Sequence, residues 1–319
     1  MTTVEDVGRT PQGEPVQTIR IAAEGISAEI LTLGAGVHRL DVAGRNVVLG
    51  HPGLEGYLGS RFYAGMSCGR FANRIASGRF TLDGVDHQLA TNENGNTLHG
   101  GPSGFDSRVW TVEHVTDHSV LLTLISEDGD QGFPGTVGVR VLYEVFPGEM
   151  RVVYGAVTDA PTPLNLTTHP YFNLHGEGSG SVDDHRLVVA ADHVLTVGPG
   201  LIPTGEAVPV VPSGTIGELA PLDSCFVVRG EGFRHHATLS VPDLELQVWS
   251  DQPGLQVYTG DALNPDVIGT SGGRYCARAG VALETQNFPD APNHPDFPNS
   301  ILRPGETYRA ETNWVFRAR

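Results

Sequence analysis

Short apolar runs separated by turn residues are the pattern that most restricts what this chain can fold into. The sequence contains 41 glycines and 22 prolines, which are spread along its whole length rather than gathered in a linker. Because Gly and Pro interrupt regular structure, few stretches remain that are long enough for an amphipathic helix. In one such run, Leu244, Leu246 and Val248 alternate with Glu245, Gln247 and Trp249, as in a strand with one buried face. The pattern predicts many short β-strands.

Strand candidates follow one another along most of the chain. The dipeptide Asp83-Gly84 lies between two apolar runs and is a strong hairpin signal. A short helical turn fits residues 51–59, whereas residues 201–222 are rich in Pro and Gly and are predicted to form a surface loop. Four consecutive strands are predicted at residues 109–115, 120–126, 137–146 and 150–158.

No break in composition and no internal repeat divides the sequence, so we expect a single domain over residues 1–319. Hydrophobic residues make up 39% of the chain, enough for a sizeable core. With about twenty short strands and almost no helix, the fold class is predicted to be all-β. A chain of this length then forms one large antiparallel sandwich or barrel.

The charge balance narrows the possible partners. The chain carries 37 acidic residues against 20 basic ones, a formal net charge of −17, which argues against binding to nucleic acid or to an anionic membrane surface. All 20 basic residues are arginines. Without lysine, a Schiff-base mechanism, a pyridoxal enzyme and a Walker A phosphate loop are excluded.

Cysteine usage and the N-terminal segment predict a soluble, cytoplasmic protein. The three cysteines are far apart and form no CxxC pair, which argues against a disulfide framework or a zinc knuckle. The first ten residues, MTTVEDVGRT, lack the basic start and apolar run of a signal peptide. No stretch approaches the roughly 18 apolar residues of a membrane span.

The stretch TTHPYFNLH at residues 167–175 places a histidine before a proline and two aromatic residues. Imidazole is the side chain best suited to proton transfer near neutral pH, although a single histidine in a strand-rich chain is more often structural. Further polar residues stand among glycines, aromatic residues or apolar strands elsewhere in the chain. These candidates are His169, Glu284, Asn73, Arg74, His99, Asp223 and Gln256.

Several kinds of site can be set aside from motif spacing. Thirteen histidines are present, but there is no HExxH and no tight His/Cys cluster, so no metal site is predicted. There is no GxGxxG in a βαβ context, so no cofactor is expected. What remains is one imidazole and one carboxylate with Arg and amide groups, a set that suits a neutral, hydroxyl-rich ligand such as a sugar.

Taken together, these clusters resemble the aldose 1-epimerase (galactose mutarotase) family. The matching segments occur in the family's order and span roughly residues 20–317. They are GRFANRI at 69–75, NTLHGG at 96–101, THPYFNL at 168–174, LDSCF at 222–226, DQPGLQVYTG at 251–260 and ALETQNFPDAPN at 282–293. The resemblance implies a large antiparallel β-sandwich of the galactose mutarotase type. It also implies interconversion of the α and β anomers of a free hexose, without metal or cofactor.

The resemblance also implies a role for each candidate. By motif, His169 resembles the general acid that protonates the ring oxygen, and Glu284 the general base that removes the C1 hydroxyl proton. His99 resembles a second histidine in contact with the sugar. Residues Arg74, Asp223 and Gln256 resemble groups that hold sugar hydroxyls, and Asn73 is a further candidate beside Arg74.

Two departures from the family pattern concern substrate preference. The family often has Ser or Thr after the acid histidine, where this chain has Pro170, and His or Asn after the aspartate, where it has Ser224. Three other functions stay open beside the epimerase: an epimerase of hexose 6-phosphates, a sugar-binding module, and a glycoside hydrolase that uses Asp223 with Glu284. The 6-phosphate enzyme would need a basic cluster that the sequence does not indicate.

Overall fold

The computed structural model describes residues 2–319, and this part of the chain forms 28 strands. The strands of the first half are β1 (Thr3–Arg9), β2 (Pro15–Ala23), β3 (Ile26–Leu31), β4 (Gly36–Val42), β5 (Arg45–Asn46), β6 (Ser67–Cys68), β7 (Arg74–Ile75), β8 (Arg79–Leu82), β9 (Val85–Gln88), β10 (Thr97–Leu98), β11 (Thr111–Val115), β12 (Ser119–Ser126), β13 (Val137–Phe146) and β14 (Glu149–Thr158).

The second half of the chain continues in the same way. Its strands are β15 (Thr162–Pro163), β16 (Thr167–Thr168), β17 (Tyr171–Phe172), β18 (Arg186–Val189), β19 (Ala191–Val197), β20 (Pro203–Pro209), β21 (Ser213–Thr215), β22 (Asp223–Val228), β23 (Arg234–Ser240), β24 (Leu244–Ser250), β25 (Gly254–Tyr258), β26 (Val281–Gln286), β27 (Ile301–Leu302) and β28 (Tyr308–Ala318).

Helical structure is short throughout residues 2–319. The α-helices are α1 (Leu54–Gly59) and α2 (Ile216–Leu219), and the 3-10 turns are Ala76–Gly78, Phe105–Ser107, Asp130–Gly132, Pro199–Leu201 and Ala291–Asn293. None of these helices is long and apolar enough to cross a membrane. The predicted helical turn within residues 51–59 and the hairpin at Asp83-Gly84, which joins β8 to β9, are both confirmed.

The predicted surface loop at residues 201–222 is wrong. This segment contains β20, β21 and α2, and β20 pairs with β19 while β21 pairs with β18. Both strands lie at the outer edge of a sheet, and most of β20 is exposed. Proline is tolerated on an edge strand because its missing N–H can face solvent, so the Pro-rich composition does not exclude a strand here.

Three large sheets make up most of the fold, and all of the named strand pairs in the described chain are antiparallel, as expected for the predicted sandwich. The sheets have five strands (β1-β2-β3-β4-β5), nine strands (β11-β12-β13-β14-β28-β24-β23-β18-β21) and six strands (β17-β26-β25-β22-β19-β20). Shorter strands pair two by two in the connections between them.

The main hydrophobic core draws on all three large sheets. Ile19 of β2, Val141 of β13 and Val257 of β25 are completely buried members of one cluster. In the long last strand β28, Trp314 and Phe316 are buried on one face. The shared core packs the six-stranded sheet against the nine-stranded one. Polar side chains on the other face of the six-stranded sheet are thereby fixed in place.

Candidate active site

Strand pairing brings His169 and Glu284 together across 115 residues of sequence. His169 lies between β16 and β17, and β17 pairs with β26 so that Tyr171 is opposite Ala282. Glu284 is two residues further along β26, on the same face as Ala282 because side chains alternate along a strand. The Nε2 atom of His169 lies 3.4 Å from the Oε1 atom of Glu284.

Gln256 and Asp223 reach the same place through the next two strands. In the ladder, Gln256 of β25 is opposite Glu284, and Cys225 of β22 is opposite Gln256. Directly opposed residues share a face, and Asp223 is two residues from Cys225, so the three polar side chains project from one side of the sheet. The Nε2 group of Gln256 donates to Oδ1 of Asp223 at 2.6 Å.

Both members of the His169–Glu284 pair are almost completely buried, with 4% and 2% of their surface exposed. Burial penalises the charged form of each, and it lowers the pKa of His169 to about 4. Burial also raises the pKa of Glu284 well above its usual range, reinforced by the charge of Asp223 and opposed by Arg74. The pair therefore consists of two desolvated groups in contact, the arrangement expected of an acid and a base.

His99 presents a hydrogen-bond donor to the site. The N–H group of Asn73 donates to its Nδ1 atom at 3.1 Å, and the N–H group of His99 donates to the carbonyl oxygen of Asn73 at 3.0 Å. Burial, together with His169, Arg74 and Arg61, lowers the pKa of His99 well below its usual range. The ring is thus neutral, and because Nδ1 accepts, the proton lies on Nε2.

Arg74 forms the polar wall of the site with two carboxylates. Its Nε and Nη2 atoms donate to the two oxygens of Glu93 at 2.6 and 2.8 Å, and Nη2 also lies 3.4 Å from Oδ2 of Asp223. Burial lowers the pKa of Arg74, but Glu93 and Asp223 outweigh that effect and the net shift is upward. Arg74 is mostly buried, and its strand β7 pairs with β10, the strand that leads into His99.

These groups surround a cavity of about 840 Å³. Asn73, Arg74, His99, His169, Asp223 and Glu284 all line it, so six of the seven residues predicted from the sequence meet there. Gln256 lies behind Asp223 and does not line the cavity. A concave site of this size with a few convergent polar groups fits a small ligand such as a monosaccharide.

Comparison with known proteins identifies the family of this chain. A family model for aldose 1-epimerase matches residues 17–314. The chain belongs to the aldose 1-epimerase family. Galactose mutarotase of Rattus norvegicus is 40% identical over 331 aligned residues, which cover 96% of each protein. Aldose 1-epimerase of Escherichia coli strain K12 is 34% identical over 97% of each protein.

A solved structure agrees with the fold as well. The aldose epimerase homologue from C. elegans superposes with a TM-score of 0.89 and 28% identity, covering 94% of this chain and 98% of that one. The predicted family and the predicted mutarotase-like β-sandwich are therefore both confirmed.

Some residues of this epimerase-family site were not predicted from the sequence. Glu93 and the rings of Tyr63 and Tyr258 line the cavity, and so does Ser224, one of the two departures from the family pattern. The Tyr63 ring lies 4.7 Å from the His99 ring and is stacked on His169 at 6.1 Å between centroids. No local sequence signal distinguishes Tyr63 from a core aromatic residue.

Backbone strain occurs at several points of the cavity wall. Four of its lining residues, which are not glycines, adopt left-handed φ values: 55° for Tyr63, 64° for Asn73, 50° for His99 and 57° for Leu201. Such conformations cost about 1–3 kcal/mol each in residues with a Cβ and persist only where surrounding contacts enforce them. Surrounding contacts therefore fix the backbone of these four residues in the cavity wall.

Three side chains of the site lie close enough together to be considered as metal ligands, although no metal site is predicted from the sequence. One potential ligand atom from each of His99, His169 and Glu284 lies within 4.8 Å of the others, a juxtaposition that the sequence did not reveal. However, the Asn73 N–H group already occupies Nδ1 of His99, so the neutral ring keeps its proton on Nε2. A metal ligand needs a free lone pair at that nitrogen, so the hydrogen-bonding pattern favours a donor role for His99.

A second such group lies outside the cavity, at His175, Asp184 and His185. His185 Nε2 accepts from the N–H group of Leu174 at 2.9 Å, which leaves the proton on Nδ1, 3.1 Å from Asp184. The same reasoning therefore favours a structural hydrogen bond over a metal ligand for His185. His175, at the end of the stretch that contains His169, belongs to this group rather than to the candidate active site.

Proposed function

We propose that this protein is an aldose 1-epimerase that interconverts the α and β anomers of free hexoses such as galactose or glucose. The observation that carries this proposal is the buried contact between His169 and Glu284, 3.4 Å apart at the wall of a cavity lined with polar groups. Membership of the aldose 1-epimerase family supports it, as do the galactose mutarotase and aldose 1-epimerase names of the relatives.

In the proposed reaction, Glu284 removes the proton of the C1 hydroxyl while His169 gives a proton to the ring oxygen. The bond between C1 and the ring oxygen breaks, and C1 becomes an aldehyde. Rotation about the C1–C2 bond then presents the opposite face of the aldehyde. Ring closure follows with the roles reversed, because Glu284 returns its proton to the C1 oxygen and His169 takes one from the attacking hydroxyl.

The pair keeps one proton throughout this cycle. It begins as carboxylate and imidazolium and becomes carboxylic acid and neutral imidazole when the ring is open. The neutral forms are those that burial favours in this site, since the pKa of Glu284 is raised and that of His169 is lowered. The protein environment is thus matched to the protonation state that accompanies the open-chain sugar, which supports assigning the two roles to this pair.

The remaining candidates would bind the sugar. His99 would donate its Nε2 proton to the charge that develops on the ring oxygen. Arg74, Asp223, Asn73 and, through Asp223, Gln256 would hold hydroxyl groups. Two buried atoms of residues that line the cavity, Nδ1 of His169 and Oε2 of Glu284, have no hydrogen-bond partner within residues 2–319. Buried polar atoms are usually paired, so a hydroxyl-rich ligand is the expected partner.

We also propose a reducing, cytoplasmic setting for the protein. Its three cysteines are free thiols, and two of them, Cys68 and Cys225, are buried. Cell fractionation of the native host would test this, and recovery from an extracellular or oxidising compartment would contradict it.

Polarimetry tests the proposed activity directly. With freshly dissolved α-D-glucose or α-D-galactose, the rotation should relax to its equilibrium value faster with the protein than without it. The acceleration should be unchanged by EDTA, since neither proton transfer uses a metal in this mechanism. Binding of the sugar without any acceleration would sink the proposal in favour of a sugar-binding module.

A further inference from the structure

Glu93 stands out because it occupies the wall of the candidate site without a place in the proposed reaction. Its carboxylate accepts two hydrogen bonds from Arg74, of 2.6 and 2.8 Å. The side chain of Arg74 is 9% exposed and that of Glu93 is 27% exposed, so the pair is largely shielded from solvent. A bidentate Arg–carboxylate pair of this kind fixes the guanidinium plane as well as its position.

The backbone around Glu93 is organised to hold it there. Glu93 and Asn96 exchange main-chain hydrogen bonds, N to O at 3.2 Å and O to N at 2.8 Å. Between them, Asn94 and Gly95 have φ values of 48° and 84°, both left-handed, as a tight two-residue hairpin turn requires. The turn leads through β10 to His99, so Glu93 and His99 are set by one short segment.

This pair also decides the charge that a ligand meets. Arg74 is held by Glu93 and also contacts Asp223, so one guanidinium faces two carboxylates. Arg61, the other arginine that lines the cavity, is exposed and donates to the main-chain oxygens of Gly101 and Pro102. The buried cation of the cavity is therefore more than neutralised, and an anionic ligand gains no net attraction from it.

We propose that Glu93 is a positioning and specificity-determining residue: it fixes Arg74 and cancels its charge, so that the site selects neutral aldoses over anionic ones such as hexuronates. This inference rests on the proposed epimerase function. It follows that the cancelled charge of Arg74, rather than lack of space, disfavours acidic sugars, because a cavity of about 840 Å³ has room for a carboxylate in place of a hydroxymethyl group.

The test compares mutarotation of α-D-galactose and α-D-galacturonate by wild type, E93Q and E93D. E93Q keeps the shape of the side chain but removes its charge. We expect its KM for galactose to rise roughly tenfold with kcat within about threefold, since the acid/base pair is untouched. Its kcat/KM for galacturonate relative to galactose should rise about tenfold, the size of effect expected from one partly shielded charge. E93D keeps the charge and should shift this ratio less than E93Q.

Two further comparisons show whether the effect runs through Arg74. In the R74Q background, E93Q should no longer change the galacturonate-to-galactose ratio, because the guanidinium that Glu93 neutralises is gone. D83N is the matched control, because Asp83 makes the same bidentate contact with Arg303 at 2.8 Å outside the cavity. D83N should leave the ratio and the KM at their wild-type values.

The inference is overturned if E93Q and E93D both keep the wild-type ratio, or if E93Q raises it equally in the R74Q background. If E93Q does not fold, E93D alone decides, and an unchanged KM for galactose in that variant counts against the positioning role. Failure of the proposed function would look different, because wild type would then not accelerate galactose mutarotation at all. In that case calorimetric binding of galactose and galacturonate to wild type and E93Q would still test the charge selection.

Discussion

Burial lowers the pKa of His169 and raises the pKa of Glu284, so it favours the neutral form of both side chains. For a solvated pair, a carboxylate would ionise and an imidazole would take the proton near neutral pH. Here both side chains are almost completely desolvated and neither charge is favoured. Substrate hydroxyls that fill the unpartnered positions on His169 and Glu284 would restore part of the lost solvation and bring the charged state within reach.

Replacing either member of the pair should abolish turnover without unfolding the protein. For E284Q and H169N we expect kcat to fall roughly 100- to 10,000-fold, the range typical of a lost general acid or base. Thermal stability should stay equal or rise, because each change removes a poorly solvated ionisable group. Polarimetry and thermal unfolding measure the two effects.

The matched controls are H236N and E149Q. His236 is a completely buried histidine outside the cavity, and Glu149 is a carboxylate that accepts from Asn313 at 2.7 Å on another sheet. Both controls should keep wild-type kcat. A near wild-type rate for E284Q or H169N would show that the role assigned to that residue is wrong.

The pH dependence of kcat/KM should be bell-shaped, because the pair works only while it holds a single proton. As pH falls through about 4, the lowered pKa of His169, both groups become protonated and no base remains. As pH rises above the raised pKa of Glu284, both groups lose their protons and no acid remains. Initial rates of mutarotation across this range, corrected for the uncatalysed rate, give the profile. An acidic limb near pH 6.5 would mean that His169 is solvated.

At the scale of elements, short turns decide which polar side chains reach the site, and the sequence alone does not reveal which ones do. The sequence singled out His169, Glu284, His99 and Arg74 as candidates, and the family resemblance implied their roles. Glu93 could not be predicted, since its position next to Arg74 depends on strand pairing and on a tight turn between them. Asn94-Gly95 reads as a turn in the sequence, and what that turn positions is visible only in three dimensions.

Substitution of Gly95 by alanine should separate turn geometry from stability. Gly95 has φ = 84° and open space where a Cβ would lie, and Gly84 of the β8–β9 hairpin has φ = 81° and equally open space. Both G95A and G84A should lose about 1 kcal/mol of unfolding free energy, because alanine is strained at positive φ. Only G95A should also raise the KM for galactose, by displacing Glu93. Equal KM values in the two variants would contradict the positional role of this turn.

For the whole molecule, alternation and turn residues were enough to predict the all-β antiparallel class, and the family resemblance implied the sandwich. They did not reveal the edge strands within residues 201–222, because an exposed Pro-rich strand has the composition of a loop. The order of strands in the nine-stranded sheet also lies beyond local pattern. Ala156 of β14 lies opposite Tyr308 of β28, and these two distant segments become neighbours only through burial of a shared core.

We propose that residues 1–319 form a single domain, since one hydrophobic cluster contains side chains from Ile19 to Phe316. Chemical denaturation should then give one transition, with tryptophan fluorescence and far-ultraviolet circular dichroism coinciding. Saturating galactose should shift that transition to higher denaturant concentration, because the ligand binds only the folded state. Two separated transitions would indicate two folding units.

The arrangement of the cavity has a consequence for how sugar preference can diverge among descendants of such a protein. Glu284 and Gln256 face each other within a fully paired ladder, where a shift by one residue would turn both side chains to the opposite face. Glu93 and Leu201 instead lie at short turns in the cavity wall. Mutations can therefore reshape these turns while the reaction itself is inherited unchanged, so that new substrates can be explored without first losing the old chemistry.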